Sequence, residues 1–316
     1  MSIITHRQHY VPQRYLAKWL NGTELNVLNL KTKKVRQYGT NAICFIWDYY
    51  ELKQLTNDEK KFFELLYYNA PTILKDRINE ILSLHDYEYK VESSNKEIEE
   101  AVSKIFKNYY DEIKQQVFIQ GGEEFISNIE KDLSNDLWDK LYQMNSDFIH
   151  DEQNRVDFYS YIVAQMYRVP KSKQLLNKFM QEIKTKIDFD ISADKIFPYF
   201  VIFQSMILSV KLSNKNNYKI TFMTRNNHSK ISFITSDNPV INICEYFDNE
   251  GNPLDYELYW PLSPDLAMLI TTNQNKTNQC IEEMDVIKFN QLIVNNASEY
   301  IIYYDKESIN KELYQI

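Results

Sequence analysis

Three regimes of hydrophobic spacing succeed one another along the chain. Near the start, Tyr15, Leu16, Trp19 and Leu20 share one helical face behind Pro12, and Asn21-Gly22 reads as the stop. From Glu24 to Tyr38 apolar and polar residues alternate about Lys31-Thr32-Lys33-Lys34, the period of a hairpin, and Ala42 to Leu52 continues as an aromatic-rich strand or irregular segment. The period then changes to 3.6. It predicts helices over 57–69, 71–84, 95–118, 122–144, 152–168, 171–187 and 196–211, with Asp86 to Asn95 as a loop and Gly121-Gly122 as a turn. In the last third, short runs rich in Ile, Phe, Tyr and Thr predict strands over 218–224, 230–235, 240–244, 257–260, 267–272 and 300–304, with a helix over 284–297.

Strands at both ends with helices between them predict a single α+β domain over 1–316. Its parts are an N-terminal helix and hairpin (1–55), a helical region (56–212) and a strand-rich region with a closing helix (213–316). The sheet is expected to be mainly antiparallel and built from N-terminal and C-terminal strands. No fixed-period repeat is visible, which argues against a solenoid.

Composition narrows the chemistry. The chain holds 24 Tyr and 17 Phe but only 5 Gly, so a phosphate-cradling glycine loop is excluded and many buried phenols need partners. A formal charge of −8 argues against a broad DNA-binding surface, although a cleft for a short piece of RNA is compatible with it. Of the basic runs, Lys31 to Arg36 reads as a solvated hairpin, and Arg168 to Lys178 is the second. Cys44, Cys244 and Cys280 are far apart and odd in number, which predicts free buried thiols in a reducing compartment, no structural metal and no cofactor. The polar N-terminus lacks an apolar signal core, and no apolar run of about eighteen residues is evident, so a cytoplasmic protein without a membrane segment is expected.

Several polar residues fall on apolar stripes. His6 and His9, two of the five histidines, lie at the mouth of the Pro12-started helix, where backbone N–H groups and the helix dipole favour an anion. Gln165 and Arg168 extend the face formed by Phe158, Tyr161 and Ile162, and an inward guanidinium needs a carboxylate or a bound anion. Asn290 sits on the stripe of Val286, Ile293, Val294 and Ala297, either tying down a loop or contacting a ligand. Asp237 and Asn238 follow an apolar strand end, which reads as turn chemistry or as a presented carboxylate. Ser263, in Trp260-Pro261-Leu262-Ser263-Pro264, lacks the G-x-S-x-G setting of a hydrolase nucleophile.

The segments His9-Tyr10-Val11-Pro12-Gln13-Arg14-Tyr15-Leu16, Gln165-Met166-Tyr167-Arg168-Val169-Pro170, Thr235-Ser236-Asp237-Asn238-Pro239-Val240 and Pro261-Leu262-Ser263-Pro264, together with Asn290, resemble in order the motifs of the prokaryotic domain-of-unknown-function family numbered 4238. Val169 departs from the Thr frequent there, and Trp19 stands for the aromatic that follows the first motif. The resemblance spans nearly the whole chain. It implies that His9, Gln165, Arg168, Asp237 and Asn290 share a site, and an effector role of the kind found in bacterial defence neighbourhoods.

Three functions fit. The first is a metal-independent phosphodiesterase of RNase type: His9 as general acid or base, Asp237 as its partner, Arg168 stabilising charge, and His6, Gln13, Gln165, Asn238 and Asn290 holding the ligand. The alternative is a non-catalytic sensor for a nucleotide or other anion, and the third reading is an internal network that ties strands to helices. Oligomeric state is not legible in the sequence.

Overall fold

The computed structural model describes residues 6–83, 121–131, 133, 135–186, 190–214, 218–244 and 255–309. The helix expected over 95–118 and the loop from Asp86 to Asn95 lie outside the described residues. The chain opens with strand β1 (Arg7–His9), helix α1 (Gln13–Leu16) and a 3-10 turn (Ala17–Trp19). Strands β2 (Leu25–Asn29), β3 (Lys34–Tyr38) and β4 (Phe45–Trp47) follow.

Helices α2 (Asn57–Leu66), α3 (Thr72–Leu82), α4 (121–131), α5 (Asn135–Tyr142), α6 (Glu152–Tyr167), α7 (Pro170–Lys184) and α8 (Ala193–Asn214) make up the centre. Their ends obey local chemistry. Thr56 and Glu59 form a capping box on α2, the Asp151 carboxylate accepts from Asn154 N at 2.9 Å on α6, and Pro170 begins α7. The α8 helix is long and apolar enough to cross a membrane by length and composition, but most of it is buried in the protein, as in a core helix.

The last third holds β5 (Lys219–Arg225), β6 (Thr235–Ser236), β7 (Ile241–Asn242), β8 (Leu258–Ser263), β9 (Leu266–Thr271), β10 (Gln279–Ile281), α9 (Glu283–Asn296) and β11 (Tyr300–Tyr303). Two sheets carry most strands. A four-stranded antiparallel sheet in the order β3-β2-β11-β6 joins the two ends of the chain, with Leu28 opposite Ile301 and Ser236 opposite Ile301 on its other side. A five-stranded sheet runs β10-β5-β9-β8-β7, antiparallel except for β10 on β5. The remaining pair is the antiparallel ribbon β1-β4. The fold is therefore α+β, with N-terminal and C-terminal strands paired as expected.

One apolar core runs through all three regions. Its aromatic hub is Trp260 of β8, which meets Trp138 of α5 at 5.4 Å, Tyr161 of α6 at 5.7 Å and Tyr15 of α1 at 5.7 Å between ring centroids. The Tyr15 hydroxyl donates to Pro261 O at 2.6 Å and lies 2.6 Å from Thr235 Oγ1, so a phenol fixes α1 to both sheets.

Several local expectations change. Pro12 is the residue before α1, not its first helical position, and α1 lasts four residues before tightening into the 3-10 turn. His9 sits on β1, one side of an extended turn, so the short helix offers it no anion site. The helix expected over 122–144 breaks near 133, and the strand expected over 230–235 shrinks to Thr235–Ser236. Cys44 is buried but Cys244 is half-buried and Cys280 exposed.

Gly121-Gly122 is helical rather than a turn. A Cβ on Gly122 would stand 2.0 Å from Tyr50 O, so the missing side chain lets α4 press onto the backbone that follows β4. Gly122→Ala is expected to destabilise the fold by about 3 kcal/mol or more, since backbone, unlike a side-chain tip, cannot swing away. Urea unfolding of that variant beside Gly121→Ala, where the nearest atom is the Leu52 side chain at 3.4 Å, checks it.

Candidate functional site

Arg168 organises the polar centre. It ends α6, is 1% exposed, and lies on the face already occupied by Phe158, Tyr161 and Ile162. Its Nε and Nη2 donate to Gln165 Oε1 at 3.1 and 2.6 Å, and Nη1 donates to Glu130 Oε1 of α4 at 2.5 Å. Gln165 in turn donates from Nε2 to the Tyr10 carbonyl at 3.0 Å. A side-chain chain of hydrogen bonds thus links α4, α6 and the segment leaving β1. Burial alone would lower the Arg168 pKa, but the charge and hydrogen bond of Glu130 outweigh it and the guanidinium stays charged.

His9 joins this centre from β1. Antiparallel pairing puts Arg7 opposite Trp47 and His9 opposite Phe45, so these four side chains share one face while Gln8, on the other, is fully buried and accepts from Tyr50 N at 2.7 Å. The His9 pKa is pushed below its ordinary value, first by burial and then by the charges of Arg7 and Arg168, against a hydrogen bond to the Asn41 backbone and the charge of Glu130. Its buried Nε2 has no hydrogen-bond partner among the described residues. A ring N–H given to the Asn41 carbonyl leaves Nε2 as the basic nitrogen.

The fourth participant is Glu123, two helical turns before Glu130. Burial, aided by the charge of Glu130 and opposed by Arg168, pushes its pKa up to about 7. Its Oε2 is buried without a partner among the described residues, as are Tyr161 OH and Arg7 Nε. Unsatisfied buried polar atoms are costly, and those of His9 and Glu123, one basic and one able to hold a proton, give this centre groups able to meet something polar.

Of the residues expected from the sequence, His9, Gln165 and Arg168 come together here. Asp237 does not: its carboxylate oxygens accept from Ser298 N at 2.9 Å and Glu299 N at 2.8 Å, and its own N–H donates to Tyr300 O. It caps the entry to β11, which corrects the catalytic role expected for it. Burial pushes its carboxyl up to about 6 despite those backbone bonds. Asn290 accepts from Ile234 N at 3.0 Å and donates to Ser232 O at 2.9 Å, replacing a missing strand partner rather than meeting a ligand. Asn238 donates to Asn296 O at 3.1 Å, His6 pairs with Asp48 at 2.7 Å at the surface, and Gln13 is exposed on α1.

Sequence reasoning passed over Glu123, Glu130, Arg7, Tyr50 and Tyr161. One usable signal existed: an inward Arg168 demands a carboxylate, and Glu123 and Glu130 stand seven apart around the buried Ile126 and Ile129. Among the described residues no group of three His, Cys, Asp or Glu is arranged to hold a metal ion. A cleft of about 760 Å³, lined by Glu257, Lys276, Asp285 and Phe289 among others, lies away from these motifs, at the five-stranded sheet.

Fold and site define an α+β protein with a buried Arg-Glu-Gln centre opened toward a histidine. The chain belongs to the family of proteins of unknown function DUF4238, whose model matches residues 7–307 and so takes in every residue of the centre. No curated protein and no solved structure matches it.

Two measurements probe the centre. Arg168→Met should cost about 3–5 kcal/mol in urea unfolding, because Glu130 and Gln165 lose the donor they face. Glu123 holds its proton more tightly when folded, about pH 7 against about 4.3 unfolded, so its stabilising contribution is complete below about 4.3 and is lost as pH rises to 7. Glu123→Gln should therefore flatten the fall of the urea midpoint between pH 6 and 7, leaving the part below 6 that Asp237 contributes with the same sign.

Proposed function

We propose that this chain cleaves the phosphodiester backbone of RNA by metal-independent acid–base catalysis at the His9–Glu123–Arg168 centre. The observation that carries the reading is the pairing of opposite proton states at neutral pH around one buried guanidinium. His9 is held neutral with a free Nε2, and Glu123 is poised to keep its proton up to about pH 7.

In this reading His9 Nε2 takes the proton from a ribose 2′-OH, and that oxygen attacks the adjacent phosphorus. Glu123 gives its proton to the departing 5′ oxygen, so the products are a 2′,3′-cyclic phosphate and a 5′-OH end. The internal nucleophile lowers the entropic barrier that a free water would face. Arg168, clamped by Glu130 and Gln165, supplies fixed positive potential behind the developing phosphorane charge. Glu123 thus takes the part expected of Asp237.

His9→Ala and Glu123→Gln should each lower single-stranded RNA cleavage in EDTA by about 10²–10⁴-fold with little change in melting temperature. Cleavage should be bell-shaped in pH, rising as His9 loses its proton below its ordinary 6.5 and falling as Glu123 ionises near 7. Full activity in both variants sinks the proposal. The 1% exposure of Arg168, whose donors are already engaged, favours instead the reading of an internal network that ties strands to helices, and a sensor reading competes with both. Nucleotide-induced thermal stabilisation without turnover would support the sensor reading.

A further inference from the structure

The face of the β1-β4 ribbon that carries His9 also carries three side chains to which the proposed cleavage gives no part. Arg7, His9, Phe45 and Trp47 lie on it as two cross-strand pairs. Trp47 is 65% exposed, whereas the other three tryptophans of the chain, Trp19, Trp138 and Trp260, are buried. The Arg7 guanidinium sits 3.8 Å from the Phe45 ring centroid and donates to the Asn41 carbonyl, so it is pinned in place next to the indole. His9 touches the same Phe45 ring at 5.8 Å between centroids. A lone exposed tryptophan is unremarkable on a protein surface. Here the indole continues a strip of cation and aromatic that leads to the free Nε2 of His9.

From this juxtaposition we infer that the outer face of the β1-β4 ribbon is the base-binding subsite for single-stranded RNA, with a base stacked on Trp47 and the adjoining phosphate at Arg7. The inference rests on the proposed RNA cleavage and adds the form of RNA taken and the residues that select it. An indole accepts any unstacked base on its π face, and a guanidinium beside it meets the backbone charge, the combination that single-strand binders use. Paired bases hide those faces, so a duplex gains nothing from Trp47. Arg7 also answers the objection raised by a net charge of −8: the substrate meets a local cation fixed beside the reacting histidine.

The test uses a short single-stranded RNA blocked by 2′-O-methyl groups, which cannot be cleaved through its 2′ position, and its duplex form. Because Trp47 alone among the tryptophans is open to solvent, the blocked single strand should quench the solvent-exposed part of the fluorescence and the duplex should not. Trp47→Ala should weaken single-strand binding about tenfold or more. Trp47→Phe should restore most of it, and on cleavable RNA the alanine variant's loss should fall on KM rather than kcat. Equal affinity of Trp47→Ala and the parent chain, with cleavage intact, overturns the subsite and leaves the cleavage proposal standing. Quenching without any cleavage keeps the subsite and removes the catalytic reading. Neither quenching nor cleavage removes both, and equal quenching by the duplex overturns the stacking mode.

Discussion

Everything near the N-terminus depends on keeping one guanidinium charged inside the protein. A buried, unpaired Arg168 would cost several kcal/mol, and the structure meets that demand with one carboxylate and one amide. The amide does a second job. Gln165 can turn its oxygen to Arg168 only while its nitrogen donates to Tyr10 O, and this fixes the exit of β1 against α6. Glu130 likewise draws α4 in, and α4 can come close because Gly122 leaves room for the Tyr50 carbonyl. The position of His9 follows from these bonds: it is carried by the strand whose end Gln165 holds.

The other polar segments that stand out in the sequence are joined by the same device, a side chain that stands in for a backbone partner. Residues 231–234 have the apolar composition of a strand but no strand to pair with among the described residues. Asn290 serves Ile234 N and Ser232 O, the Ser308 hydroxyl serves Ser232 N at 2.8 Å, and Pro264 O accepts from Phe233 N. Asp237 performs the corresponding task where the chain enters β11, and Tyr15, more than two hundred residues away in sequence, ties Thr235 to Pro261. Pro261 sits at the register shift of β8 on β9, where a missing N–H does least harm and its carbonyl is free to accept.

What the sequence made legible follows from this division. The hairpin β2-β3 was readable from its alternation about a polar turn, and the helical centre and the inward face of α6 because apolar spacing and burial agree there. Gln165 and Arg168 stood out because each breaks an apolar stripe. His9 stood out by its motif, although the short α1 gave it a different setting from the helix mouth expected. Asp237 and Asn290 were visible as misplaced polar residues, but composition cannot tell a carboxylate that caps a strand from one that reacts, since both need the same atoms in a dry place. Glu123 and Glu130 were hidden for the opposite reason. On a charged helix flank they look like solvated residues, and only the approach of α4 to Arg168 sets Glu130 against the guanidinium across 38 positions and buries much of Glu123. The Gly121-Gly122 pair misled for a related cause: its lack of side chains serves packing against Tyr50 rather than a turn.

The charges around His9 also link binding to proton state. Arg7 and Arg168 bring two positive charges and Glu130 one negative, so these charges acting on a neutral His9 sum to +1 (2 − 1). Ionising Glu123 near pH 7 adds a negative charge against Arg168. On the proposed reading a single titration therefore removes the proton donor and weakens the attraction for a phosphate, so losses in kcat and in affinity coincide on the alkaline side. On the acid side the two effects oppose: protonating His9 removes the base but adds a positive charge, so substrate is held more tightly as turnover falls. Such asymmetry follows from two ionisable groups of different sign sharing one buried guanidinium, whereas the Asp237 carboxylate is taken up by the backbone N–H groups of Ser298 and Glu299.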